Sequence, residues 1–396
     1  MTPLAIAAFT ATSALGRGGD AHARALADMR GGLRPNDISH APLACFVGRV
    51  DGIEDVAVPA AQRALDSRNN RLAWLGLRQD GFLDAARAAV ARHGASRVAV
   101  FMGTSTGSIG ATEDGYRHLV DGQLPTSLRE PLLHTLHSLG HFVAAATGAA
   151  GPCLTVSTAC SSSAKVFAMG ARLMAAGLVD AVIVGGVDTL CDSVLFGFNS
   201  LQLVSPEPCR PFDVARQGIS IGEAAAFALL ERVDATPDAP RLVGYGESSD
   251  AWHMSTPHPE GLGARMAMQQ ALERAGLMAD AVDYICLHGT ATRKNDEVEA
   301  AAVARLFPVS THASSTKGYV GHTLGAAGAL GVVTALLAMR EQWVPGNLGC
   351  SEPDPACGPQ LVLTTQSARV DVALVNAFGF GGNNACLALA RAEAGA

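Results

Sequence analysis

The chain has 396 residues, of which 48% are hydrophobic and 16% charged, and its formal net charge is −7. The length suggests two or three domains or one large α/β unit, and the acidic balance argues against nucleic acid as a partner, because proteins that bind it concentrate Lys and Arg. The nine cysteines are scattered without a C-x-x-C pair, which argues against a zinc cluster or a disulfide framework and favours a reducing cytoplasm.

Apolar runs alternate with helical patterns along the chain. Strands are predicted at residues 4–10, 98–102, 154–156, 181–187, 224–230, 242–247, 284–287, 360–365, 370–376 and 384–390. Helices are predicted at residues 62–79, 82–92, 113–120, 131–146, 261–275, 297–306 and 324–340, and another follows residue 160. This alternation predicts α/β layers with mixed sheets. Residues 233–240 are the best linker, and the similar order of elements on its two sides hints at a duplication.

Two apolar stretches resemble targeting or membrane segments. Residues 4–10 are not preceded by a basic segment, since the first charged residue is Arg17, so we predict a strand rather than a signal peptide. Residues 318–339 have no charged residue and are long enough to cross a bilayer. Their five glycines, His322 and two threonines favour a buried helix, so we predict no membrane span and a cytoplasmic protein.

Cys160 lies at a predicted turn between a strand and a helix. The apolar run 154–156 leads into the small residues of 157–163 (STACSSS), after which a helical pattern begins. The free N–H groups at a helix start favour a thiolate, so we expect the helix to lower the pKa of Cys160 and to make it a nucleophile. The alternative is a small buried cysteine without a chemical role.

Two histidines and a lysine lie in the second half. His288 follows an apolar strand, and His322 lies in a loop rich in Gly and Thr that also contains Lys317. Neutral imidazoles can donate hydrogen bonds to a thioester carbonyl and stabilise the oxyanion that forms there. Lys317 could tune the field or pair with Asp296 or Glu299, or it could be a surface lysine that extends into solvent.

Two further loops could provide catalytic groups. Residues 378–384 (FGFGGNN) lie between two predicted strands, and their glycines allow a tight turn with exposed N–H groups, which suits an oxyanion hole. Residues 103–107 (GTSTG) match the G-x-S-x-G pattern after a strand, which would make Ser105 the nucleophile of a serine hydrolase. A chance match is favoured there, because no capped helix begins at Ser105.

At these motifs the chain resembles the elongating β-ketoacyl-acyl-carrier-protein synthases of the thiolase superfamily. The motifs that carry the resemblance are residues 157–163, 209–213, 250–257, 288–299, 315–328 and 376–384. The resemblance implies a five-layer αβαβα thiolase-like fold with two pseudo-duplicated halves, residues 1–236 with the nucleophilic cysteine and residues 237–396 with both catalytic histidines. It also implies a dimer.

The resemblance implies a mechanism for this chain. Cys160 would take an acyl group from a carrier-protein thioester, and His288 and His322 would hold the thioester carbonyl of malonyl-carrier protein. Loss of CO₂ would leave an enolate that attacks the acyl group on Cys160. The backbone N–H groups of Cys160 and Phe380 would hold the oxyanion.

Other roles are implied by the same resemblance. Lys317 and Glu299 resemble a supporting ion pair, and Phe380 a gating aromatic. Substrate contacts are expected from Thr290 and Thr292, which would bind phosphopantetheine, and from Phe198, Ile219 and Phe378. Neither a metal nor a bound cofactor is implied, because the substrates are carried on the phosphopantetheine of an acyl carrier protein.

The sequence departs from the commoner family pattern in places. Ala291 stands where Gly or Ser is usual, which should matter little, whereas Ile219 removes an aromatic expected near the acyl pocket. Residues 68–79 and 219–224 resemble synthases of bacterial aryl-polyene pigment pathways. That resemblance implies a conjugated polyene chain and either a homodimer or a heterodimer with a partner like a chain length factor.

Arg63, Arg68 and Arg71 follow one another on a predicted helix. They could dock an acidic carrier protein, or they could be a solvated helix face.

Three rival functions remain at this point. A thiolase or chain-initiating synthase is disfavoured, because the initiating type resembles Cys-His-Asn where this chain has His322. A serine hydrolase would use Ser105. A non-catalytic subunit that binds acyl chains or sets their length would lack the nucleophile, whereas Cys160 is present here.

Overall fold

The computed structural model describes residues 1–392, with sixteen strands and eleven α-helices in that part of the chain. The strands are β1 (Leu4–Ser13), β2 (Gly16–Arg17), β3 (Arg34–Pro35), β4 (Phe46–Gly48), β5 (Val98–Gly103), β6 (Cys153–Val156), β7 (Ala181–Asp188), β8 (Ile221–Gly222), β9 (Ala224–Arg232), β10 (Arg241–Ser249), β11 (Tyr284–Cys286), β12 (His312–Ser314), β13 (Trp343–Val344), β14 (Gln366–Ser367), β15 (Val372–Gly379) and β16 (Asn383–Ala390). The helices are α1 (Gly19–Ala27), α2 (Arg68–Leu77), α3 (Phe82–His93), α4 (Ile109–Arg117), α5 (His137–Thr147), α6 (Ser162–Ala175), α7 (Asp192–Ser200), α8 (Leu262–Ala275), α9 (Arg293–Leu306), α10 (Lys317–Val320) and α11 (Ala327–Glu341).

The main sheet has eleven strands: two five-strand halves with the same topology, and the short β2, which pairs with β1. The order is β6-β5-β7-β9-β1 in one half and β12-β11-β15-β16-β10 in the other. In each half the first three strands of that order are parallel and the last two are antiparallel to their neighbours. A short antiparallel pairing of β1 with β10 joins the halves. The duplication predicted from the order of elements is therefore present in the topology.

Helices and sheets alternate in five layers. An apolar core packs α2, α3 and α5 on one face of the first half-sheet, and another packs α8 and α9 on the second. The largest core surrounds α6 and α11 and includes residues from strands of both halves. The predicted αβαβα fold is therefore confirmed, with α6 and α11 in the central layer.

The boundary between residues 1–236 and 237–396 stays a prediction. It falls between β9 and β10, in a link that includes a short 3₁₀ turn, Val233–Ala235. Residues 393–396 of the second half lie outside the described residues.

Several predicted elements differ from the structure. The helix expected at 113–120 is shifted to α4, and the helix expected at 131–146 is divided into a 3₁₀ segment, Pro131–His134, and α5. The helix expected at 62–79 is divided into a 3₁₀ segment, Ala60–Leu65, and α2, because the Ser67 side chain caps α2 by accepting a hydrogen bond from the Asn70 N–H. The strand expected at 360–365 forms no ladder, and its backbone makes only scattered pairs, such as Val362 with Ala313.

The longest apolar helical stretch is Leu324–Glu341. It is long and apolar enough to cross a membrane, but 83% of it is buried inside the protein. Its burial agrees with the predicted core helix.

Candidate active site

Cys160 occupies a tight turn between β6 and α6. The residue before it, Ala159, has a positive φ of 53°, which is unusual for a residue with a side chain. The Ser162 hydroxyl secures the turn by accepting a hydrogen bond from the Thr158 N–H and donating one to the Ala159 carbonyl. The Cys160 side chain is therefore held in one place, 5% exposed, two residues before the start of α6.

Both predicted histidines lie beside this sulfur. His322 Nε2 is 2.9 Å from Cys160 Sγ, and the ligand atoms of Cys160, His288 and His322 all lie within 4.8 Å of one another. The two imidazole rings are 5.3 Å apart between centroids and nearly perpendicular, at 84°. The structure thus brings together three segments that are far apart in the sequence.

The backbone of His322 is anchored to a neighbouring strand segment. Its N–H donates to the Ser220 carbonyl, and its own carbonyl accepts from the Gly222 N–H. These bonds form a parallel bridge between His322 and Ile221.

Glu299 and Lys317 hold the backbone of His288 from opposite sides. Glu299 accepts hydrogen bonds from the N–H groups of His288 and Gly289, at 2.8 and 2.7 Å, and one from the Asn376 amide. The Lys317 ammonium donates to the His288 carbonyl. Within the described residues, no direct ion pair joins Lys317 to Glu299. The predicted ion pair is therefore wrong, and the two side chains instead bind the peptide groups on either side of His288.

Burial determines the charge state of the cluster. It raises the pKa of Cys160 to about 11, although the Lys317 charge and the N–H of Phe380 act in the opposite direction. Burial and the Lys317 charge together hold the pKa values of His288 and His322 well below the usual range. The expectation that the helix start would lower the pKa of Cys160 is wrong, because desolvation of the sulfur outweighs it. At neutral pH the cluster is a thiol beside two neutral imidazoles.

The imidazole tautomers follow from the surroundings of the rings. Within the described residues, the Nδ1 atoms of His288 and His322 are buried without hydrogen-bond partners. A buried N–H without a partner is rarer than a buried acceptor without one. This favours protons on the Nε2 atoms, so both rings can donate hydrogen bonds at the cluster.

Cysteine sulfur with two imidazoles is also a donor set that suits zinc, and these three atoms are close enough to share an ion. The nearby Lys317 charge opposes a divalent cation. The expectation that no metal is bound stays a prediction.

A cavity of 510 Å³ opens at the cluster. The residues predicted to contact substrate all line it: Thr290, Thr292, Phe198, Ile219 and Phe378. The predicted gating residue, Phe380, lines it too. The hydroxyls of Thr290 and Thr292 are hydrogen-bonded to each other at 2.9 Å, and the rings of Phe198 and Phe380 are 5.8 Å apart.

The sequence did not predict several of the residues that line the cavity. Asp250 and His253 belong to the quoted motif 250–257, which could have identified them, whereas Arg216 and Gln202 had no signal of their own.

The predicted basic face on α2 is largely neutralised. Arg68 makes a two-pronged hydrogen bond to the fully buried carboxylate of Glu223 and pairs also with Glu54. Arg71 pairs with Asp66. Arg63 is exposed but lies on the separate 3₁₀ segment. The three arginines therefore do not form one free cationic face, because carboxylates neutralise Arg68 and Arg71.

Ser105 is placed unlike a hydrolase nucleophile. Its hydroxyl donates to the Asp188 carboxylate at 3.0 Å, and within the described residues no imidazole contacts it. Without an imidazole to take its proton, the hydroxyl lacks the activation that a hydrolase serine has.

A duplicated αβαβα fold with a Cys-His-His cluster at a cavity of 510 Å³ defines a condensing enzyme of the thiolase type. Family models agree: "Beta-ketoacyl synthase, N-terminal domain" matches residues 70–235, and "Beta-ketoacyl synthase, C-terminal domain" matches residues 240–351. The chain belongs to the β-ketoacyl synthase family.

Relatives and solved structures carry related names. Nodulation protein E of Rhizobium meliloti (strain 1021) is 35% identical over 74% of this chain and 75% of its own length. The 3-oxoacyl-[acyl-carrier-protein] synthase 2 of the same strain is 39% identical over 61% of each protein. A chain of the complex between the ketosynthase ApeO and its chain length factor ApeC, from Xenorhabdus doucetiae, superposes with a TM-score of 0.88 at 38% identity, covering 99% of this chain and 98% of its own. The protein is accordingly an acyltransferase that forms carbon–carbon bonds in fatty-acid or polyketide chain elongation.

Proposed function

We propose that Cys160 carries the growing acyl chain of an elongating β-ketoacyl-acyl-carrier-protein synthase, and that His288 and His322 activate the malonyl extender. The observation that carries this proposal is the 2.9 Å contact of His322 Nε2 with Cys160 Sγ, with His288 beside it, in a cavity large enough for a thioester. The substrates would arrive on the phosphopantetheine arm of an acyl carrier protein, which the hydroxyl pair of Thr290 and Thr292 could bind at the cavity wall.

In the first step the sulfur of Cys160 attacks the acyl thioester. A bond forms from Sγ to the acyl carbon, the bond from that carbon to the pantetheine sulfur breaks, and the thiol proton leaves with the departing pantetheine thiol. Because the Cys160 thiol is buried and neutral, it needs help as negative charge develops. The N–H of His322, which lies at Sγ, and the nearby Lys317 charge both stabilise the negative charge on the sulfur.

In the second step the N–H groups of His288 and His322 hold the malonyl thioester carbonyl. Loss of CO₂ leaves an enolate whose charge these donors stabilise, and its carbon attacks the acyl group on Cys160. The N–H groups of Cys160 and Phe380, which already favour negative charge on Sγ, hold the oxyanion that forms. Its collapse breaks the carbon–sulfur bond, releases the 3-oxoacyl chain, and returns a Cys160 thiolate that takes a proton from solvent.

Acylation of Cys160 is directly measurable. Incubation with an acyl-carrier protein should add one acyl mass to the peptide that contains Cys160, and Cys160→Ala should abolish the adduct. His288→Ala should still form the adduct but lose about 10²–10³-fold in condensation, because one oxyanion donor is removed. Intact and peptide mass spectrometry measure the first effect, and the release of CO₂ measures the second.

Cys191→Ala is the matched control, since Cys191 is also buried and also lies within two residues of the start of a helix, α7. It should acylate like the wild type. An adduct that persists in Cys160→Ala would contradict the proposal.

We further propose that the chain works in a polyene pathway of the aryl-polyene type. Support comes from the resemblance of residues 68–79 and from Ile219, which is buried in an apolar cluster with Phe198 at the cavity wall. An aliphatic side chain there leaves room for a long chain that an aromatic ring would block.

The product of the native system tests the pathway. Carrier-bound product purified from the native host should absorb visible light, as an extended conjugated chain does, and Ile219→Phe should shift the absorption to shorter wavelength because the product is shorter. A saturated 3-oxoacyl product would contradict the pathway. An unchanged spectrum in Ile219→Phe, with the variant folded, would contradict the role of Ile219.

We also propose that the enzyme is a dimer, either of two copies or with a partner like a chain length factor, in the cytoplasm. The edge strand β6 pairs only with β5 within the described residues, and its Leu154 side chain is 44% exposed. An unpaired edge with an apolar side chain invites pairing with a second chain. The nine free thiols suit a reducing compartment.

Leu154→Asp should weaken the dimer, because it places a charge in the pairing edge. Light scattering after size-exclusion chromatography would measure the mass, with the proposed partner co-expressed in a parallel sample. Leu178→Asp is the control, since Leu178 is 60% exposed and lies outside the strands and helices. Equal dimer content in wild type and Leu154→Asp would contradict pairing through β6.

A further inference from the structure

Asp188, the last residue of β7, is fully buried and surrounded by donors. Its carboxylate accepts hydrogen bonds from six groups: the Thr104 hydroxyl, the Ser105 N–H and hydroxyl, the Thr106 N–H and hydroxyl, and the Gly325 N–H. Their distances run from 2.5 to 3.0 Å. An acidic side chain with this many partners fixes the segments that supply them.

One of those partners belongs to the segment that carries a catalytic imidazole. Gly325 follows His322 by three residues, and its N–H is 2.6 Å from the Asp188 carboxylate. A side chain at Gly325 would meet that carboxylate oxygen at 2.7 Å and the Ser105 N–H nitrogen at 2.7 Å. Glycine is therefore required for this close approach.

His322 is thus restrained at its own backbone and again a few residues later in the chain. At His322 itself, the backbone N–H and carbonyl are hydrogen-bonded to Ser220 and Gly222. After it, Gly325 is tied to Asp188, and the Ala329 N–H donates to Ser163, in the first turn of α6 just after Cys160.

We propose that Asp188 is a positioning residue for condensation, whose buried carboxylate sets the separation of His322 from Cys160 by tying the His322 segment to the loop after β5. The inference rests on the proposed roles of Cys160 and His322. Asp188 does not contact the substrate in this proposal. The Thr104–Thr106 loop, whose sequence matches the pattern of a hydrolase, is part of this anchor.

The anchor needs a carboxylate rather than an amide. One oxygen accepts from the Thr106 N–H and the other from the Gly325 N–H. In Asp188→Asn one of these backbone N–H groups would face an NH₂ donor. A hydroxyl can rotate and accept a hydrogen bond from the new NH₂ group, but a backbone N–H can only donate. One of the two backbone hydrogen bonds, from Thr106 or from Gly325, is therefore lost.

The charge of Asp188 also acts on the nucleophile. Together with burial it raises the pKa of Cys160, in opposition to Lys317. Two other titratable groups face Cys160, namely the imidazoles of His288 and His322, and both are neutral at neutral pH. Removing the carboxylate charge should therefore make the thiolate easier to form, while the loss of the tether makes condensation slower.

Asp188→Asn tests both effects. Condensation should fall about tenfold or more, since a small misplacement of a reacting group is costly. The pH profile for alkylation of Cys160 by iodoacetamide, followed by mass spectrometry, should move to lower pH. A purely structural role would lower the melting temperature and leave the alkylation profile in place.

Gly325→Ala separates the tether from the charge. Its added methyl group displaces the segment from Asp188 but keeps the carboxylate, so condensation should fall about tenfold or more, while the alkylation profile should not move to lower pH as it does in Asp188→Asn. Glu231→Gln is the control, because Glu231 is equally buried but pairs with Arg92 and His93. It should change neither readout.

Wild-type condensation in folded Gly325→Ala overturns the proposal, even when Asp188→Asn does not fold. An unchanged rate and profile in folded Asp188→Asn overturns it too. Failure of the proposed function is a distinct result, because it would appear as an acyl adduct that survives Cys160→Ala.

Discussion

Exclusion of water from one sulfur and two imidazoles is the constraint on which the rest of the site depends. Burial keeps Cys160 a thiol and both histidines neutral, so the cluster contains hydrogen-bond donors rather than an ion pair. Neutral donors can hold a thioester carbonyl as its charge develops without first giving up a proton. The same burial makes Lys317, fixed on the His288 carbonyl, the main positive influence on Cys160.

The duplicated topology explains how the cluster is assembled. Cys160 follows β6 and His322 follows β12, and these strands occupy the same position in the two half-sheets. His288 follows β11, whose counterpart β5 leads into the Thr104–Thr106 loop that Asp188 holds. Equivalent loops of the two halves therefore meet over the central helices α6 and α11, with one half contributing Cys160 and the other the two imidazoles.

The sequence predicted the residue types and the loops of this site, because small residues and histidines at strand ends are visible in a linear pattern. It did not predict the direction of the pKa change at Cys160, since the depth of burial depends on how both halves pack. The contacts of Lys317 and Glu299 with the His288 backbone, and of Arg68 with Glu223, could not be predicted because each joins distant segments. Asp188 lies in no recognisable motif, and its proposed role follows only from its hydrogen bonds to the Thr104–Thr106 loop and to Gly325.

The charge state of the two imidazoles is the central claim, and nitrogen NMR of ¹⁵N-histidine-labelled enzyme measures it most directly. Comparison with His288→Ala and His322→Ala would assign the two rings. Both rings should be neutral and protonated at Nε2 throughout the range from pH 7 down to about 6.5, where an ordinary imidazole is half charged. Imidazolium signals from either ring at pH 7 would contradict it, because they would mean an ion pair with a Cys160 thiolate.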